Sequence, residues 1–200
     1  MNTYTFKSDI FNILYSDICK MNKLVFIDEN FNEPITEQII KDIIRSNCKK
    51  IDFPNTFNQP IDNLPDDIID LSLSVKFNQP INNLPINLKK LLLFGEFNQT
   101  IDNLPPNLET LVIVGNFNQE INNLPNNLKY ISLPVNYNQN INMLPDSVEF
   151  IWLSYNYVTK IDNIPTNLKE IKIFASYPYL RNLKKIKKER KWQRNQKRVP

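Results

Sequence analysis

A leucine-rich-repeat-like solenoid is the fold class this 200-residue sequence predicts: a curved parallel sheet of about seven short strands, a mostly non-helical convex side and a helical N-terminal cap. Three observations predict it. An aromatic recurs every twenty residues, at Phe57, Phe77, Phe97, Phe117, Tyr137 and Tyr157. Between the aromatics each phase keeps its chemistry, with Ile61, Ile81, Ile101, Ile121, Ile141 and Ile161 in one row and Leu64, Leu84, Leu104, Leu124, Leu144 and Ile164 in another. Each member of that second row precedes a proline, from Pro65 to Pro165, and an L-x-x-L-x-L segment such as Leu88, Leu91 and Leu93 follows three residues later. A step of twenty lies at the short end of leucine-rich-repeat lengths.

Taken in order, residues 1–56 read as a helical N-terminal cap with a partial first repeat. Ile10, Phe11, Ile13, Leu14 and Ile18 have the spacing of a short amphipathic helix. Phe31-Asn32-Glu33-Pro34-Ile35 then opens a repeat that does not continue. Thr36 instead caps a helix with Glu37 in its first turn, running through Ile39, Ile40, Ile43 and Ile44 to Asn47. A solenoid must shield its first core layer, and a helix in place of the tight convex turn does so.

Residues 57–176 are six tandem repeats. The alternating end of each L-x-x-L-x-L segment reads as a very short strand, and strands joined by like crossovers run parallel. They centre on Ile51, Leu71, Leu91, Leu111, Ile131, Ile151 and Ile171. Gly95 and Gly115 share the phase just after the strand, where the chain turns and a positive φ favours glycine. Proline on the return side blocks a regular helix. Asn87, Asn107, Asn127 and Asn167, with Asp67 and Ser147, turn the chain by bonding their own backbone. Residues 177–200 are a C-terminal cap over 177–186 followed by a basic tail that reads as solvated and mobile.

Composition narrows the chemistry. The chain has no histidine and two cysteines, Cys19 and Cys48, without metal-ligand spacing. The commonest general base and metal ligand is therefore missing, no disulfide framework or zinc site is indicated, and no cofactor is expected. No phosphate-binding loop occurs and the carboxylates are scattered through turn positions, which argues against an enzyme. The N-terminus lacks a signal-like apolar run, and no stretch approaches the ~18 apolar residues of a membrane span. Together these point to the cytoplasm, with the nucleus reachable through the basic tail; the sequon Asn98-Gln99-Thr100 reads as a coincidence of the repeat.

The net charge of +3 hides an asymmetry: residues 177–200 carry ten Lys and Arg against Glu189 alone, or +9, and leave −6 for the rest. The tail has three readings. It offsets an acidic solenoid, it contacts nucleic acid or an import factor through residues 184–198, or it touches an anionic membrane.

Two sets of residues stand out. The asparagine after the aromatic, at Asn58, Asn78, Asn98, Asn118 and Asn138, can satisfy backbone groups in its own and the neighbouring repeat, which makes a structural ladder. The residues between the buried leucines face the concave side. They begin with Asp70 and Ser72 and continue as Lys90, Leu92, Phe94, Thr110, Val112, Val114, Tyr130, Ser132, Phe150, Trp152, Glu170 and Lys172. A polar start leads into an apolar and aromatic centre. One reading is β-propensity alone; the other is a protein-binding patch, since exposed apolar area marks contacts and Trp and Tyr are common anchors.

The phrase FNQPI-x-N-L-P-x-N-L-x-x-L-x-L over about residues 57–174 resembles the FNIP repeat, a leucine-rich-repeat relative found in social amoebae and in large DNA viruses that infect amoebae. The resemblance implies a curved solenoid. Many such proteins carry an N-terminal F-box that docks a ubiquitin-ligase adaptor, and Phe6–Tyr15 is faintly similar to the start of one. Two functions are therefore expected: a non-catalytic scaffold holding a host or viral protein on its concave face, or a substrate adaptor for ubiquitin ligation through residues 1–30.

Overall fold

Alternation along each L-x-L and proline on each return segment leave the chain one regular option, a short strand followed by turns. The computed structural model describes residues 23–25, 30–154, 156–173 and 176–196. In chain order the elements are β1 (Lys23–Val25), α1 (Glu37–Ser46), β2 (Lys50–Asp52), β3 (Asp70–Leu73), β4 (Lys90–Gly95), β5 (Thr110–Gly115), β6 (Tyr130–Ser132), β7 (Phe150–Trp152), β8 (Glu170–Lys172) and α2 (Leu180–Gln196). All strands lie in one sheet in sequence order. Every neighbouring pair is parallel, and from β2 onward the register step is one repeat, as in Leu71↔Leu91↔Leu111↔Ile131↔Ile151↔Ile171.

The seven strands centred on Ile51 through Ile171 are β2 to β8. An eighth precedes them: β1 pairs with β2 through Lys23↔Lys50 and Leu24↔Ile51. The amphipathic stretch Ile10–Ile18 and the F-box-like stretch Phe6–Tyr15 lie outside the described residues.

Helix α1 forms where its cap chemistry puts it. Thr36 Oγ1 accepts the Ile39 N–H at 3.3 Å, and Ile39 and Ile43 are buried. Asn47 ends the helix in the left-handed region at φ 52°, and its N–H donates to Ile44 O. The helix stands where later repeats have only turns.

Behind the sheet the aromatics stack. Phe31 lies 5.9 Å from Phe57, and the centroids from Phe57 to Tyr137 repeat at 6.0–6.3 Å. Hydrogen-bonded strands repeat at only ~4.8 Å. Each repeat is thus wider behind the sheet than at it, so the stack bends and the outward face of the sheet becomes the inner, concave one.

On the return side each proline carbonyl accepts an N–H three residues on, as in Leu88→Pro85, Leu108→Pro105, Leu128→Pro125 and Leu168→Pro165 at 3.0–3.2 Å. Beside the aromatics, asparagine amides cross between repeats. Asn58 Oδ1 accepts the Asn78 N–H at 2.9 Å, Asn78 that of Asn98 at 3.0 Å, Asn98 that of Asn118 at 2.9 Å and Asn118 that of Asn138 at 3.0 Å. The row extends at both ends, from Asn32 Oδ1 to the Asn58 N–H and from Asn138 Oδ1 to the Val158 N–H.

The C-terminal end is closed by a last aromatic and a helix. Tyr177 stacks 6.1 Å from Tyr157, its hydroxyl donates to Thr159 O and it accepts the Ile161 N–H, both at 2.9 Å. Leu183 is buried, and Leu180 and Ile186 pack partly buried against the core. The helix does not stop at residue 186, where the sequence reading began a mobile tail; it continues to Gln196. The reason is local: Lys, Arg, Glu and Gln are good helix formers, and neither Gly nor Pro interrupts them before Pro200.

Candidate interaction surface

Parallel register places equivalent residues of successive repeats side by side, so the outward face is a set of straight rows. The first row runs Lys50, Asp70, Lys90, Thr110, Tyr130, Phe150, Glu170. The second runs Asp52, Ser72, Leu92, Val112, Ser132, Trp152, Lys172. A short third row pairs Phe94 with Val114, because only β4 and β5 are long enough to reach it. Their length depends on glycine. Gly95 and Gly115 have φ of +64° and +121°, and a Cβ on Gly115 would lie 2.1 Å from Gly95 O. In the next repeat Pro134 stands opposite Val114 in phase and lacks the N–H to continue the ladder.

All fourteen residues assigned to the concave side from sequence, Asp70 and Ser72 included, fall on this face. Lys90, Leu92, Phe94, Thr110, Val112, Tyr130 and Ser132 are half-buried, while Val114, Phe150, Trp152, Glu170 and Lys172 are exposed. The buried partners Leu91, Leu93, Leu111, Ile113, Ile131 and Ile151 point the other way into the core. The two ends of the rows differ chemically. At the β2–β4 end Asp70 Oδ2 lies 3.8 Å from both Lys50 and Lys90 Nζ, so charge there is locally neutralised. At the β7–β8 end Lys172 Nζ sits 4.5 Å from the Trp152 ring centroid and Lys169 Nζ 5.7 Å from that of Phe150. Between them lie Leu92, Phe94, Val112 and Val114, none of them charged.

Two features escaped the sequence reading. Val75 and Val135 are exposed in the phase that Gly95 and Gly115 occupy, which widens the apolar strip past the strand ends. Apolar residues in a turn phase were the signal. Just before the strands, Lys89, Glu109, Lys129, Glu149 and Lys169 alternate in sign twenty residues apart. Glu109 lies 3.8 Å from Lys89 and 2.8 Å from Lys129, and Glu149 lies 2.5 Å from Lys169. The Lys129 hydrogen bond holds the Glu109 carboxyl below its ordinary range, and the same contact pushes the Lys129 amine up. Exposed pairs of this kind are individually weak, because solvent screens them. Their alternation still opposes a slip of one repeat, which would set like charges opposite each other.

The arrangement suits non-covalent contact. Among the described residues no group of three or more His, Cys, Asp or Glu could hold a metal ion. No described helix is long and apolar enough to cross a membrane.

The sheet order, the one-repeat register and the stacked aromatics define a leucine-rich-repeat-like β-solenoid. The FNIP Repeat family model matches residues 97–136 and 117–156, so FNIP repeats run over this part of the chain. No curated protein matches the sequence. Among solved structures, the chain is similar to one from a giant virus, "The crystal structure of CroV588 a novel circular LRR protein structure", with a TM-score of 0.60 and 29% identity. The match covers 78% of this chain and 27% of that one, so the chain spans about a quarter of that protein's length. Solenoids of these repeat types are in general non-catalytic interaction scaffolds.

Proposed function

We propose that the protein is a non-catalytic scaffold that holds a partner protein on the concave sheet face, between the Leu92–Phe94 strip and Trp152. The observation that carries this reading is the exposure of Trp152 (45%), Val114 (48%) and Phe150 (36%) on a regular surface beside half-buried Leu92, Phe94, Val112 and Tyr130. Folding alone does not require a large indole in that position, because Ser72 and Ser132 occupy the same row without interrupting the strands. A tryptophan rimmed by Lys172 and Glu170 has the make-up of an interface anchor, an apolar centre within a polar border. The strands below fix its position before any partner arrives, which limits the ordering cost of binding.

The reading is tested by affinity capture from native cells with the wild-type chain and with Trp152→Ala and Val114→Glu variants. Both side chains are outside the core, so melting temperatures should stay within a few degrees of wild type. Loss of one or more specifically captured proteins, with the fold intact, is the expected result. Identical capture by all three chains contradicts the assignment. The ubiquitin-adaptor reading is less favoured, because Lys23–Val25 within the segment it needs is already a strand of the sheet.

A further inference from the structure

The charges of α2 are the one set of cations that the fold leaves unused among the described residues. Every described Lys and Arg from Lys41 to Lys169 takes part in an ion pair: Lys41, Arg45, Lys49, Lys50, Lys76, Lys89, Lys90, Lys129, Lys160 and Lys169. Lys172 stands over Trp152. On α2, by contrast, Arg181, Lys184, Lys185 and Lys188 are exposed, and no ion pair engages them among the described residues. Their spacing of three, one and three residues puts them on one helix face. The simplest account of a basic terminus, that it neutralises the acidic solenoid by direct pairing, does not describe these four.

We infer that this face of α2 is a sequence-independent contact for the phosphate backbone of nucleic acid. The choice among polyanions follows from what the helix has already committed. A helix that lies on a membrane needs a free apolar face to insert. Of the apolar residues of α2, Leu180, Leu183 and Ile186 are packed against the solenoid core instead. A protein interface needs a buried apolar or aromatic anchor at its centre, and none lies among Arg181, Lys184, Lys185 and Lys188. A regular row of phosphates asks only for a row of unpaired cations. Counterion release then supplies the affinity. The rest of the chain carries −6, so an approaching phosphate backbone is steered to α2 and away from the sheet. This surface is distinct from the concave face, so either assignment can fail alone.

The test is fluorescence anisotropy of a labelled mixed-sequence DNA duplex with the full chain, at salt concentrations from about 50 to about 200 mM. Four phosphate contacts predict that log K falls with log salt at a slope of about −3.6 or steeper. Changing Arg181, Lys184, Lys185 and Lys188 together to Gln should weaken binding about tenfold or more at low salt and flatten the slope. The melting temperature should not change. If that variant does not fold, the wild-type slope still decides: no binding at the lowest salt, or a slope near zero, overturns the inference. Unchanged affinity in a folded variant overturns it as well. So does equal or tighter binding to phosphatidylserine vesicles, which would mean a membrane surface, or to polyglutamate, which would mean an acidic protein.

Discussion

Tyr137 and Tyr157 occupy one phase of the repeat and differ by a hydrogen bond. Tyr157 donates to Gln139 O at 3.1 Å, whereas the Tyr137 hydroxyl is buried with no hydrogen-bond partner among the described residues. Four earlier repeats place phenylalanine at this position. Leaving a buried hydroxyl unsatisfied costs ~1–3 kcal/mol, while a satisfied one contributes ~1 kcal/mol. Tyr137→Phe is therefore predicted to stabilise the protein by about 1 kcal/mol and Tyr157→Phe to destabilise it by about the same amount. Denaturant unfolding of the two variants checks this directly; shifts of the same sign would refute it. Burial pushes both hydroxyls well above the ordinary tyrosine range, and that of Tyr177 upward as well. The folded pKa values are raised, so this stabilisation is complete below the unfolded value of ~10 and is lost as pH rises past it. The unfolding midpoint should hold between about pH 8 and pH 9 and fall from about pH 10 upward, less steeply in Tyr157→Phe. A midpoint constant well above pH 10 would contradict the burial of these rings.

At the level of elements, β4 and β5 owe their extra length to Gly95 and Gly115. Gly115→Ala meets both a positive φ and the Gly95 carbonyl, and should cost ~1–3 kcal/mol, read as a lowered denaturation midpoint. A neutral effect would mean the close approach is not maintained in solution. Most strands could be read from the sequence because their evidence is redundant: each of β3 to β8 follows an aromatic, an isoleucine and a Leu-Pro or Ile-Pro pair in phase. β1 has none of them. Lys23-Leu24-Val25 is joined to the sheet by pairing with Lys50–Asp52 alone, a non-local contact without a local signature. α1 was legible through its cap, since Thr36 and Asn47 act within one turn of the helix ends. The course of α2 past residue 186 was hidden because a run of Lys and Arg marks solvation whether or not it is helical. Concave-face residues followed from strand alternation. The alternating charges from Lys89 to Lys169 needed the register first, since residues twenty apart become neighbours only after the repeats stack.

Across the whole molecule, two sets of residues divide the work. Those that recur, the aromatic, the asparagine, the isoleucine and the Leu-Pro, make contacts from one repeat to the next: rings at about 6 Å, amide bridges near 3 Å and buried aliphatic rows. Stability in such a stack is a sum of neighbour terms, so the recurring residues have little freedom to vary. Those that change between copies lie on the concave face, where Thr110, Tyr130, Phe150 and Glu170 share a row without disturbing the strands. The central claim is that stacking and recognition occupy opposite sides of the same strands. Its most direct test is site-specific photo-crosslinking in native cells, with the reactive residue in place of Ser132 on the concave face or of exposed Met143 on the return side. The account predicts a discrete crosslinked protein from position 132 and none from position 143. Equal crosslinking from both positions, or a product from position 143 alone, would contradict it.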